Sequence, residues 1–234
     1  VADALFRDVH WATLRVLQAN GCDVIVPPNQ ACCGAIHYHS SQEEVARTLA
    51  DQNVSAFADL DVDAVVVNVA GCGAMLKEYG HAWPENGRNV RTQLAEKVRD
   101  VNEFLDELGW VAPLGRLPLQ VTYHDACHLA HAQGIREAPR RLLERIPGLR
   151  IVPLDESDTC CGAAGSYNLT QTEMADRLAR RKLQNILRTG ARTVVSANAG
   201  CTLQILRQAT LEGIRLRVVH PVQLLQESLE AAQQ

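Results

Sequence analysis

Two copies of the tripeptide Cys-Cys-Gly, at Cys32-Cys33-Gly34 and Cys160-Cys161-Gly162, divide this chain into matching halves. Each copy is followed by a Gly-Cys, at Gly71-Cys72 and Gly200-Cys201. Cys33 and Cys161 lie 128 residues apart and Cys72 and Cys201 lie 129 apart, so six of the eight cysteines obey one repeat. A repeat constrains architecture first, because each copy must fold into the same kind of unit. Thiols at equivalent points of both copies also constrain chemistry, since gathered thiolates hold soft metals or iron–sulfur clusters.

The repeat reaches a seventh cysteine. Cys127, in Tyr123-His124-Asp125-Ala126-Cys127-His128, has its counterpart at about position −2 to 0, just before Val1. We therefore expect the sequence to be a piece of a longer one, with the first set's remaining cysteine immediately upstream. Cys22 has no partner in the second half, and we read it as a buried strand thiol. Disulfides are disfavoured: adjacent cysteines bond each other only with strain, and 234 residues build a core without staples.

A net charge of −4 gives no basic footprint, so nucleic acid is not an expected partner. Arg136 to Arg145 reads as the solvated face of a helix. No apolar run approaches the roughly 20 residues that span a bilayer, and no leader is visible. The expected location is the cytoplasm, with at most a peripheral place on the inner face of the membrane.

Periodicity predicts strands alternating with helices. The first half offers a helix over 4–20, a strand over 22–26, and a helix capped by Ser40 that runs to about Asp59. A strand over 64–68 follows, with Cys72 in the turn beyond it. The second half offers strands over 120–124, 149–153, 193–197 and 216–220, helices over 135–146 and 170–189, and a C-terminal helix. This alternation predicts α/β architecture, with short parallel sheets and crossover helices. We expect a first domain over 1–85, a helical connector over 86–117 with one helix from Val90 to Leu108, and a second domain over 118–234. The cysteines then fall at the C-terminal ends of strands, the edge where open α/β sheets bind ligands.

At these residues the chain resembles the tandem cysteine-rich "CCG" domains of heterodisulfide reductase, the anaerobic glycerol-3-phosphate dehydrogenase iron–sulfur subunit, lactate-utilisation proteins and the glycolate oxidase iron–sulfur subunit. Ala31-Cys32-Cys33-Gly34-Ala35, Gly71-Cys72-Gly73-Ala74, Cys160-Cys161-Gly162-Ala163-Ala164-Gly165 and Ala197-Asn198-Ala199-Gly200-Cys201 are most similar to the last of these. The resemblance implies two pseudo-repeated Rossmann-like domains in an electron-transfer subunit of a glycolate dehydrogenase complex. Its partner subunits would bind FAD and oxidise glycolate, and a ferredoxin-like region would precede the two domains in the same protein. For cofactor ligands it implies Cys32, Cys33 and Cys72 in the first half and Cys127, Cys160, Cys161 and Cys201 in the second; the residues around Cys127 separately make His124 a further candidate.

In heterodisulfide reductase the late motif is Cys-x-x-Cys, with five thiols serving a noncubane cluster. Here Met75 and Gln204 occupy the extra position, leaving at most four thiols per half, the first half's fourth being the cysteine expected upstream, and four is the count of a [4Fe–4S] centre. Zinc stays open, because His37, His39, His124, His128 and His131 stand near the cysteines. So does direct thiol redox chemistry. The resemblance implies that flavin chemistry belongs to the partners, and this chain carries no G-x-G-x-x-G fingerprint of its own.

Overall fold

The computed structural model describes residues 1–84 and 89–233. In the first half, α1 (Ala2–Leu5), α2 (Arg7–Ala19), α3 (Ala35–His39) and α4 (Glu43–Phe57) precede β1 (Val65–Val67) and α5 (Ala70–Ala82). Next come α6 (Val90–Lys97), β2 (Val98–Asp100) and α7 (Val101–Leu108). The second half opens with β3 (Gln120–His124), a π-helix (His128–Ala132), α8 (Ala138–Glu144) and β4 (Arg150–Val152). It continues through α9 (Tyr167–Thr170), α10 (Thr172–Arg188), β5 (Thr193–Ser196) and α11 (Ala199–Leu211), and ends with β6 (Arg217–Val219) and α12 (Pro221–Ala231). The class is α/β, as expected.

Both sheets are parallel. The second has the order β4-β3-β5-β6, so the chain leaves β3 in one direction and later returns on its other side. The crevice between the ends of β3 and β5 is therefore a topological switch point, where neighbouring connections run to opposite sides and leave room for a ligand. The first sheet pairs β1 with β2, Val65 opposite Val98.

Several expectations need correction. Residues 22–26 are not a strand, because among the described residues no neighbouring strand offers them a ladder; Val24 packs on the core while Ile25 and Val26 are exposed. Cys22 is accordingly a half-buried loop thiol. Ser40 does not cap α4: it ends α3, Ser41 turns with φ 59°, and α4 starts at Glu43. The helix expected from Val90 to Leu108 is broken at residues 98–100. Val98 buries fully beside β1, and Asp100 caps α7 with a capping box to Glu103. The segment read as a helical connector thus supplies a strand to the first sheet; its residues 86–88 lie outside those described. Finally, Arg136 to Arg145 is not one solvated face. Arg140 forms a two-pronged ion pair with buried Asp125, at 2.7 Å for each arm, and its guanidinium lies 4.7 Å from the centre of the Tyr123 ring.

One large core joins the halves. Val9, Ala12 and Val16 on α2, Leu105 on α7, Leu142 and Leu143 on α8 and Leu224 and Leu225 on α12 pack together around Val121 and Tyr123 of β3. Helical spacing puts these apolar residues on single faces, and burial of each large side chain contributes about 1.5–3 kcal/mol. Two smaller cores surround the two cysteine sets.

Candidate metal centre

The second cysteine set assembles at the switch point. His124 ends β3, and Cys127 stands at the head of the π-helix three residues later. Cys160 and Cys161 lie on the loop after β4, and Cys201 sits in the first turn of α11 just beyond β5. Strand periodicity alone suggests a turn at Cys72; Cys72 and Cys201 are both the third residues of helices, α5 and α11. The difference has chemical weight, because the free N–H groups and dipole of a helix start favour a thiolate.

The four thiols contact in series, Cys127 to Cys160, Cys160 to Cys161, and Cys161 to Cys201. Their acidities alternate as a consequence. Cys160 is held well below the usual thiol range, first by the Cys127 thiol and then by Cys161. Cys201 is drawn down first by Cys161, with further help from His124 and Asn198. Cys127 and Cys161 are pushed up, each chiefly by Cys160.

Backbone and side-chain donors face the sulfurs. Gly162 N–H reaches Cys160 Sγ at 3.3 Å, and Asn198 Nδ2 reaches Cys201 Sγ at 3.3 Å. Gly162 has φ 93°, and a Cβ there would come within 2.4 Å of the Ala175 carbonyl, so the loop that aims this N–H requires glycine. A ring nitrogen of His124 and the sulfurs of Cys161 and Cys201 lie within 4.8 Å of one another. His124 is buried, and neither of its nitrogens makes a well-formed hydrogen bond; its effect on Cys201 is one of proximity. Four thiols with such an imidazole form a donor set that fits a sulfur-bound metal group.

Two buried charges support this set. Asp125 follows His124 and is gripped by Arg140; burial alone would raise its carboxyl, but the guanidinium overrides this and holds it below the usual range. Lys182 is 2% exposed on α10, and its Nζ donates to the carbonyls of Glu156 and Ser157 ahead of the cysteine pair. Sequence reasoning gave a role to neither: Arg140 passes for one of the basic residues around α8, and Lys182 for one of those on α10, since nothing in the pattern distinguishes the inward-facing ones.

The first set is sparser. The Cys33 thiol contacts Cys32 and Cys72, and Cys72 is drawn down chiefly by Cys33. Cys32 is exposed, Cys72 half-buried and Cys33 buried. Asn53 clamps their loop: its Oδ1 accepts from Ala31 N–H at 2.8 Å, and its Nδ2 donates to Cys32 O at 3.2 Å. Tyr79 donates its hydroxyl to Cys33 O at 2.9 Å. Among the other histidines, His37 engages Gln42 at 2.8 Å and His131 engages Arg136 at 2.9 Å. His128 lies 3.7 Å from Cys127 Sγ, and its ring stands 6.5 Å from that of His39. Only His124 joins two cysteines in a compact trio among the described residues.

The model of the cysteine-rich CCG domain matches residues 1–77 and again 121–206. The chain is 39% identical over 236 residues to the "Probable glycolate oxidase iron-sulfur subunit" of Bacillus subtilis, covering 97% of this chain and 52% of that protein. It is 34% identical over 227 residues to "Lactate utilization protein A" of Geobacillus kaustophilus, covering 95% and 94% of the two chains. An uncharacterized iron-sulfur protein of Methanococcus maripaludis is 34% identical over 205 residues, 88% of this chain and 39% of that one. The chain thus spans about half the length of the glycolate oxidase subunit and nearly all of the lactate utilization protein. Among the described residues no helix is long and apolar enough to cross a membrane.

Proposed function

This chain belongs to the cysteine-rich CCG domain family, and we propose that it is an electron-transfer subunit, holding iron–sulfur clusters on its cysteines, in a flavin-dependent complex that oxidises glycolate to glyoxylate. One observation carries the reading: Cys127, Cys160, Cys161 and Cys201 converge from three separate segments on one switch point, beside a buried His124 that makes no well-formed hydrogen bond. Four thiolates match a [4Fe–4S] centre by count, and such a centre passes one electron at a time. The residues around it have separate tasks. Cys127, Cys160, Cys161 and Cys201 would hold the group, with His124 beside two of them as a further candidate ligand. Gly162 N–H and Asn198 Nδ2 donate to two of the sulfurs, which stabilises charge gained on reduction. Lys182 and the Asp125–Arg140 pair fix the loops that deliver the thiols. In the first half Cys32, Cys33 and Cys72 would serve a second centre.

The flavin, as FAD, would sit on partner subunits, and a ferredoxin-like region of the same protein would exchange electrons with these centres. A location in the cytoplasm, with at most a peripheral membrane contact, suits this role. Lactate is the second substrate reading, favoured by relatives whose names concern lactate utilization. A zinc-bearing docking scaffold is the third, favoured by the mixed His124, Cys161 and Cys201 trio.

Anaerobic purification with iron, sulfide and zinc analysis, followed by EPR of the reduced protein, separates these readings. Iron with sulfide in near-equal amounts is expected; zinc alone, or no iron after reconstitution, would overturn the cluster assignment. Reduction of the iron centres by the flavin partners with glycolate, compared with lactate, then decides the substrate.

A further inference from the structure

Asn198 stands on the seam between the two halves. As N-cap residue of α11 it has φ −142° and ψ 123°. Its Nδ2 donates to Cys201 Sγ at 3.3 Å, while its Oδ1 accepts from Gly71 N–H at 3.2 Å. Gly71 directly precedes Cys72 in the first turn of α5, so one carboxamide touches a sulfur of the second set and the backbone beside a sulfur of the first. The orientation of the amide is fixed chemically: Gly71 N–H requires an acceptor, which turns the NH₂ group toward the sulfur. The seam around it is closely bonded. Ala70 N–H donates to Ala197 O at 3.0 Å, and Gln133 Nε2 donates to Ala70 O at 2.9 Å.

The repeat sharpens the point. Val69 occupies the matching place before α5, with nearly the same backbone at φ −134° and ψ 112°. A valine side chain has neither donor nor acceptor, so the first set receives no such bond from its own cap residue. The cap side chain that bridges the seam therefore comes from the second half.

We propose that Asn198 is a positioning residue that couples the two cysteine sets. Its N–H donor raises the reduction potential of a centre held by the second set, and its carbonyl holds the Gly71–Cys72 backbone in register with that centre. The physical basis is that a donor aimed at a ligating sulfur stabilises the negative charge added on reduction. The same two hydrogen bonds form a direct bonded link between the sets, from Cys201 Sγ through the carboxamide to Gly71. This inference rests on the reading of the cysteines as cluster ligands.

EPR-monitored redox titration of the full-length holoprotein tests it, with Asn198→Leu and Asn198→Asp beside the parent. Leucine removes both bonds; aspartate keeps an acceptor for Gly71 but replaces the donor with a carboxylate. The second centre's midpoint is expected to fall in the leucine variant by about a tenfold change in equilibrium constant, about 59 mV for a one-electron couple, and further in the aspartate variant. Loss of the second centre from either variant, with the metal-free chain still folded by circular dichroism, also supports a positioning role. A midpoint unchanged in both variants overturns it. So does failure of both variants to fold, which would make Asn198 a general structural residue of the seam. Absence of iron from the parent protein is a different result, and it removes the proposed function itself.

Discussion

Asn53 on α4 and Lys182 on α10 lie 129 residues apart and perform one task with different charges. Each reaches from its helix to the loop that carries a cysteine pair. Asn53 bonds Ala31 N–H and the Cys32 carbonyl; Lys182 bonds the Glu156 and Ser157 carbonyls. The first set is thus held by a neutral amide, and the second by a buried cation whose pKa burial lowers while Cys161 opposes that shift. The sulfurs differ in the same sense: Cys201 is 2% exposed where its counterpart Cys72 is half-buried, and Cys160 is half-buried where Cys32 is exposed. A duplicated fold has kept the scaffold and changed the electrostatic surroundings of its two sites. Charge and hydrogen bonding around sulfur are what set a cluster's potential, so corresponding thiols need not make corresponding centres.

The largest effect that would break the comparison comes from Cys161→Ser. Its thiol touches both Cys160 and Cys201, so its removal should abolish the second centre while leaving the first; EPR and iron content of the holoprotein measure this. An unchanged spectrum would reject Cys161 as a ligand.

Next is a matched pair of glycine replacements. At Gly162 an added Cβ meets the Ala175 carbonyl at 2.4 Å, while at the equivalent Gly34, also at positive φ, it meets the Ala46 carbonyl at 3.1 Å. Gly162→Ala should therefore cost about 4 kcal/mol and Gly34→Ala about 2 kcal/mol, read from urea unfolding of the metal-free protein. Equal costs would show that the two loops are packed alike.

The smallest effect concerns two helix caps at equivalent places, Asp100 before α7 and His220 before α12. Burial pushes the Asp100 carboxyl up to about 6. The native chain then takes up a proton that the unfolded chain accepts only near about pH 4, so this term is gained as pH falls from about 6 and lost as pH rises through 6. Burial holds His220 down to about 3. The unfolded chain binds a proton near about pH 6.5 that the native chain refuses, so this term is lost as pH falls from about 6.5 toward 3. The two slopes oppose each other between about pH 4 and 6. Asp100→Asn should remove the first and His220→Asn the second, each on the order of 1–3 kcal/mol, in urea midpoints measured across pH. A pH profile that neither variant alters would show that neither cap titrates with folding.

Much of this was legible in residue order. Val65–Val67, Gln120–His124 and Thr193–Ser196 fall where runs of β-branched and apolar residues announce strands, and the repeat placed Cys72, Cys127 and Cys201 just beyond strand ends. Residues 22–26 misled because a strand needs a neighbour as well as a composition. Strand β2 was hidden inside a helical pattern, since three residues are too few to register against the helices on either side. Arg140 looked like its solvated neighbours until Asp125 was found beneath it.

The sequence by itself determined that there are two equivalent units, that each gathers thiols, and which thiols correspond, because a repeat is a property of order alone. Only the tertiary structure decided that the second set's thiols meet at a switch point, that His124 joins them, and that Asn198 and Lys182 make this set unlike the first. The reason is distance: Asn198 and Gly71 are 127 residues apart in the chain and 3.2 Å apart in space, and only folding brings such groups into contact.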